Sequence, residues 1–216
     1  MAGLSYILVA YEVVILGVEN MVAGHFGLAA GIKKIAPRLP LWSLLLASFF
    51  LDVVFIFFAA AGLEKIVPVD AANPNAYGGS LIQAYYTHSL VGALLLSVLA
   101  GLFAGWRWGQ RGGYVIAGVV FSHWILDLLV HRPDLPILPG NLGNLPLLGF
   151  GLWQYPAVSA MLELILVIGG VWFYYRAAMQ AAEASANQEQ RRRAMTSTIG
   201  VAVLLVLLLA SNVLGL

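Results

Sequence analysis

"FSHWILDLLVHRPDLP" (residues 121–136) decides how this chain is read. Two of its four histidines and two of its ten acidic residues fall in this one stretch, most of which is as apolar as a membrane span. His123, Asp127 and His131 stand at i, i+4 and i+8, a spacing that drifts by about 40° per step and puts them in one stripe on one helix face. Pro133 disfavours helix at the residue before it, so the helix should stop there. His131, beside Arg132, is expected at the water boundary in an interfacial role, with His123 deeper. Asp134 is expected to be solvated and paired with Arg132. A charged side chain near a bilayer centre costs roughly 2.5–3.5 kcal/mol, so such residues face the interior of a bundle and usually have partners.

The rest of the chain gives that stretch its setting. Hydrophobic residues make up 61% and charged residues 10%, and the mean hydropathy is +0.89. A soluble domain of 216 residues cannot bury that much apolar surface, so the class is integral membrane protein. A net charge of +1 argues against a nucleic-acid partner. The absence of cysteine excludes disulfides, thiolate metal sites and cysteine nucleophiles. The N-terminal stretch lacks the basic region of a signal peptide and is read as retained.

The expected fold is all-α, a polytopic bundle of about six membrane-spanning helices near 4–32, 41–62, 86–106, 113–131, 156–176 and 195–215. The first span carries Glu12, Glu19, Asn20 and His25 and is expected to break near residue 20. Residues 1–178 form the bundle, 179–194 a cytoplasmic linker and 195–216 a C-terminal membrane helix. Lys33, Lys34, Arg38, Arg107, Arg111, Arg176 and Arg191 to Arg193 all fall in the connections after spans one, three and five. The positive-inside rule puts those connections in the cytoplasm and both termini outside. The two outer connections are a polar, turn-rich lid within 63–85 and a segment, 132–155, too rich in proline and glycine to be helical.

All four histidines lie in or at the edge of a span, and Asp52, Asp127 and Glu163 are intramembrane as well. His25 and Asp52 are almost equally far in sequence from Arg38 in the first inner turn, so a helical hairpin puts them at similar depth. Depth and facing together suggest one cluster in the outer half of the bilayer: His25, Asp52, His88, His123 and Asp127. Imidazole with carboxylate is the ligand set of zinc, manganese or iron, and helix bundles hold such sites. Thr87, Ser89 and Ser122 flank the histidines and could hydrogen-bond them. Glu163 stands evenly between site residue and buried hydrogen-bond partner.

At these residues the sequence resembles a known family. "AGHFGLAAG", "SFFLDVVF", "YYTHSLVGALL" and "SHWILDLL" follow its ordered pattern of Gly-His, a late aspartate, Thr-His-Ser, and Ser-His followed by Asp. They are similar to the YdjM-like bacterial inner-membrane proteins, described as membrane-bound metal-dependent hydrolases, over about Met21 to Glu163. The resemblance implies metal-site roles for His25, Asp52, His88, His123 and Asp127 and a bacterial inner-membrane location. The sequence departs from the pattern at Val54, where the family often has a second carboxylate, and at "AYY", where it often has His-Arg-Gly.

Two functions compete. One is a metal-dependent hydrolase, zinc being the leading ion, acting on a lipid or other membrane-borne ester or phosphoester, with Asp127 or Glu163 as general base. Its proline-rich outer loop, with Trp153 and Tyr155, would sit among lipid headgroups. The other is a non-enzymatic membrane protein, an accessory subunit of a larger complex or a metal or proton transporter. The partners expected are membrane lipids and either further copies of the chain, as a homo-oligomer, or a larger membrane complex.

Overall fold

The computed structural model describes residues 21–70, 77–185 and 187–214. Glu12, Glu19 and the break expected near residue 20 lie outside the described residues. The described chain is mostly helical, with six α-helices, and three of its helices are long and apolar enough to cross a membrane. These are α4 (Leu90–Val130), α5 (Pro156–Glu183) and α6 (Gln188–Leu214). Before them come α1 (Val22–Ile32) and the pair α2 (Leu41–Ser48) and α3 (Phe50–Ala60). The pair is apolar enough to span when taken together but is bent by 50° at Phe49.

One feature departs from an all-α chain. Strands β1 (Lys65–Pro68) and β2 (Ser80–Gln83) pair antiparallel, with Lys65 opposite Gln83, in the connection after α3. That connection carries the run "KIVP" and its partner "SLIQ", whose side chains alternate between buried and half-buried. The 132–155 connection has only two short 3-10 turns, Pro139–Asn141 and Leu152–Gln154, and a single bridge between Leu135 and Leu148.

A straight helix of α4's 41 residues would be about 60 Å long, twice a bilayer's hydrocarbon core. Gly109, at φ 80° and ψ 166°, breaks it. The arms 90–108 and 110–130 fold back on each other along a seam of small residues. A Cβ added to Gly113 would meet the Gly101 carbonyl oxygen at 2.6 Å, and one added to Gly101 would meet Ala117 Cβ at 2.7 Å. Only glycine permits so close an approach. The seam between α1 and α5 uses the same device. An added Cβ on Gly27 would lie 2.7 Å from the Leu166 carbonyl oxygen, and one on Gly170 would lie 2.0 Å from that of Gly27.

The bundle has two chemically distinct ends. At one, Lys34 donates to the Gln180 side chain and Arg111 to the Ile35 carbonyl, which gathers the basic connections together. The other end carries the β1–β2 hairpin, packed against Trp153, with Arg132 donating to the Gly78 carbonyl. Helices α5 and α6 extend well into 179–194 and are separated there only by residues 184–187. Between the ends, Leu44, Leu51, Ala93, Val119, Val120 and Trp124 form one core around α2, α3 and α4. Leu102, Phe103, Ile165, Trp172 and Leu207 point outward and are exposed, the surface a lipid-facing bundle presents.

Candidate metal centre

Five side chains, from three helices and the connection before α4, meet in the interior near the hairpin end. His25 comes from α1, Asp52 from the first turn of α3, and His123 and Asp127 from the second arm of α4. His88 precedes α4. The helix begins at Leu90, capped by Ser89, whose hydroxyl oxygen accepts the Gly92 N–H at 3.0 Å. All five are at most 1% exposed. They are the five residues expected to cluster.

Two backbone features aim the donors. The bend at Phe49 ends α2 one residue early, and it turns the Ser48 carbonyl to His123 Nδ1 at 2.7 Å. A carbonyl can only accept, so His123 Nδ1 carries the proton and Nε2 offers its lone pair. The same bend starts α3 afresh and places Asp52 in its opening turn.

His88 is fixed by a longer relay. Its Nδ1 lies 2.9 Å from Thr87 Oγ1, and Thr87 in turn donates to both oxygens of Glu64, at 3.1 and 2.9 Å. The Thr87 hydroxyl has one hydrogen, and it points to Glu64, so the Nδ1–H of His88 is the donor and its Nε2 is left unprotonated. Glu64 also accepts the backbone N–H groups of Tyr86 and Thr87 at 2.7 and 2.9 Å. The Trp124 indole donates to the His88 carbonyl at 2.8 Å. A carboxylate holding the far nitrogen of an imidazole is the usual support of a metal-binding histidine, here with a hydroxyl between them.

The inward nitrogens converge on two carboxylate oxygens. His88 Nε2 is 3.2 Å from Asp52 Oδ1, 3.5 Å from Asp127 Oδ2 and 3.3 Å from His123 Nε2. His123 Nε2 is 3.3 Å from Asp52 Oδ1 and 3.1 Å from Asp127 Oδ2. A zinc ion with ligands at 2.0–2.1 Å in a tetrahedron has ligand–ligand edges of about 3.3–3.4 Å. The five separations, 3.1–3.5 Å, bracket that length, and Asp52, His88 and His123 lie mutually close enough to share one ion. Neither oxygen of Asp52 or of Asp127 has a hydrogen-bond partner among the described residues. These His–Asp distances fall within ion-pair range. Fully buried carboxylates without hydrogen bonds are costly unless a cation lies among them. The residues present fit a divalent metal ion.

His25 completes the group from the side. Its ring stacks on His123, with centroids 3.9 Å apart, and its Nε2 lies 3.2 Å from Asp127 Oδ1, the oxygen turned away from His88. His25, His123 and Asp127 form a second set of donors close enough to share an ion, overlapping the set Asp52, His88 and His123.

Other expectations are corrected. Of the three hydroxyls beside the histidines, only Thr87 supports a ring: Ser89 caps α4, and Ser122 bonds back to the Val119 carbonyl at 2.7 Å. His131 is not at the water boundary but fully buried, and its Nδ1 lies 3.0 Å from Asp134 Oδ1. Asp134 is accordingly neither solvated nor paired with Arg132, because the 132–155 connection folds back over it. Glu163 lies outside the converging donors. It accepts from Tyr77 Oη at 2.6 Å, the Gly24 N–H at 3.0 Å and Asn212 Nδ2 at 2.8 Å, and so ties the connection after α3, α1 and α6 together. Comparison with protein-family models, curated proteins and solved structures yields no match.

Proposed function

We propose that this protein is a membrane-embedded metal-dependent hydrolase, with a divalent ion, zinc first, held by Asp52, His88, His123 and Asp127 and flanked by His25. The observation that carries the reading is the set of 3.2–3.3 Å separations among the buried donors Asp52, His88 and His123, two of them imidazoles whose protons are held on the far nitrogen, with Asp127 beside them. A bound ion would supply a Lewis acid able to polarise an ester or phosphoester and activate water. Asp127 is the residue for proton transfer, because its Oδ1 faces His25 while Oδ2 faces the other donors. Glu163 is the weaker base, since three donors already occupy it. The kinship with YdjM-like proteins rests on the four motifs and their order.

The topology we propose has six spans in a bacterial inner membrane. The two arms of α4 count separately, the bent pair α2–α3 counts as one, and α1 is the inner part of the first. The end bearing Lys34, Arg111 and Gln180 is cytoplasmic by the positive-inside rule, so the donors lie toward the outer face and a substrate would come from the lipid.

A second reading has its own support. Four protein donors and complete burial describe a closed metal site, and closed sites are structural more often than catalytic. That favours a non-enzymatic subunit of a larger membrane complex, or a carrier of metal or protons. One experiment separates the readings: metal analysis of the detergent-purified chain, followed by assay on fluorogenic phospholipid and fatty-ester probes in mixed micelles. The hydrolase reading expects about one ion per chain and cleavage that chelation abolishes. Metal in the wild type without cleavage of either probe would establish the non-enzymatic reading. No metal in the wild type would refute both.

A further inference from the structure

The donors are sealed from solvent, so an ion must reach them through a path that the cluster itself does not explain. One helical turn beyond Asp127 toward the hairpin end, on the same stripe, stands His131. It is 0% exposed, and its Nε2 has no hydrogen-bond partner among the described residues. Leaving such an atom unpaired in the interior costs about 1–3 kcal/mol, which selects against the arrangement unless the atom has another use.

The surroundings of His131 are those of a metal-binding imidazole. Asp134 holds its Nδ1 at 3.0 Å and so turns the Nε2 lone pair away from the loop. Asp134 is not neutralised by its neighbour Arg132, whose guanidinium donates instead to the Gly78 carbonyl. Trp153, 2% exposed, lies against the ring with centroids 4.2 Å apart and walls off one side. The Phe150 N–H, bonded to the Leu128 carbonyl at 2.9 Å, and the Gly151 N–H, bonded to the His131 carbonyl at 2.6 Å, clamp the loop to the end of α4.

We propose that His131, oriented by Asp134, is a transfer ligand, buried beneath the 132–155 connection, that receives a divalent cation on its way in and hands it on to Asp127. This rests on the metal reading above but concerns a different residue and a different quantity, the rate of loading rather than the final content. A neutral imidazole with a fixed tautomer binds a divalent ion without giving up a proton, so handover needs no coupled chemistry.

The test uses the full chain in detergent, stripped of metal by chelation and mixed with zinc ions alone, with free zinc followed by a chromophoric chelator. His131→Gln keeps the size of the side chain but is a poor zinc ligand. It is expected to load about tenfold more slowly, the lower end of what losing an outer metal-site partner costs, and to reach the wild-type zinc content. Asp134→Asn, which loosens the ring, should fall between the two. His131→Cys restores a zinc ligand in a smaller side chain and should load faster than His131→Gln. Loading of His131→Gln at the wild-type rate would overturn the proposal. So would a His131→Cys as slow as His131→Gln, or a final content in His131→Gln as low as in His88→Gln. A wild type that takes up no zinc would instead refute the metal reading, and the transfer role with it.

Discussion

Glu64 offers the sharpest test of how the centre is tuned, because it touches no metal donor. Its carboxylate accepts from the Thr87 hydroxyl and from the N–H groups of Tyr86 and Thr87. Glu64→Gln preserves the shape but makes one end of the side chain a donor. The amide oxygen keeps the Tyr86 and Thr87 N–H groups, so the NH2 takes the end 2.9 Å from the Thr87 hydroxyl, which loses its nearer acceptor, keeps only the oxygen at 3.1 Å, and is driven to rotate and donate to His88 Nδ1. The imidazole must then carry its proton on Nε2, aimed at His123 Nε2 3.3 Å away and at the oxygens of Asp52 and Asp127. That proton occupies the space an ion needs.

Restoring the binding tautomer then means breaking the new Thr87–His88 bond and leaving a donor facing a donor. Losing an outer hydrogen-bond partner of a metal ligand typically weakens binding 10–100-fold, about 1.4–2.7 kcal/mol. Glu64→Gln is expected in that range, measured as the zinc Kd by competition with a chromophoric chelator in detergent. Thr87→Val, which cuts the relay without reversing it, should lose less. A Kd for Glu64→Gln within threefold of wild type, with the protein monodisperse, would refute the relay and the tautomer assigned to His88.

Other outcomes follow from the same geometry. His88→Gln and Asp127→Asn keep volume and hydrogen-bonding capacity but replace good ligands with poor ones, so each should strip most of the metal, by elemental analysis, while the protein still purifies as one species. A cysteine at Asn141 should label from outside intact cells and one at Gln188 should not; the reverse order would invert the assigned orientation. Gly170→Ala pushes a methyl into the Gly27 carbonyl and should lower stability by about 1–3 kcal/mol, read from thermal unfolding in detergent. Burial and the Glu163 carboxylate push the Tyr77 phenol above its ordinary range. A raised native value means that the stabilisation is whole below the unfolded value of about 10 and is lost as pH climbs beyond it. Tyr77→Phe should therefore be less stable at neutral pH and lack part of the alkaline decline; equal pH profiles would exclude the bond as a contributor.

The five central residues were legible because ionisable side chains stand out in an apolar sequence and because i, i+4 spacing fixes a shared face. The turn at Gly109 was legible too, in the basic, glycine-containing run "WRWGQRGGY" between two apolar stretches. What positions the donors was not. The break at Phe49 has neither proline nor glycine to announce it, and the group it frees is the Ser48 carbonyl, which no side-chain pattern reveals. Glu64 sits where a span gives way to a polar connection, the usual place for a solvated charge, and its burial depends on a turn more than twenty residues later in the chain. Asn212 belongs to a span without ionisable residues, and only the fold brings it to Glu163. His131 and Asp134 were misjudged for the same reason. Sequence placed the proline-rich loop outside the helices, but not that it folds back over the helix end.

Val54 bears on how many ions the site can hold. On a helix, residue 54 is rotated about 200° from residue 52, so a side chain there faces away from whatever Asp52 faces. Asp52 is buried against His88 and His123, while Val54 is only half-buried and Phe55, the next residue, packs edge-on against the His88 ring with centroids 6.0 Å apart. A carboxylate at 54 would not have joined the four donors, and valine removes nothing from them. A second ion would have to use the other set, His25 with Asp127 Oδ1 and His123. His123 has only one nitrogen to offer, since Nδ1 is committed to Ser48, and that nitrogen already faces Asp52 and His88. Two ions would also have to share Asp127 with no further acid to balance their charge. The side chains present therefore fit one cation better than two, with His25 stacked beside its donors.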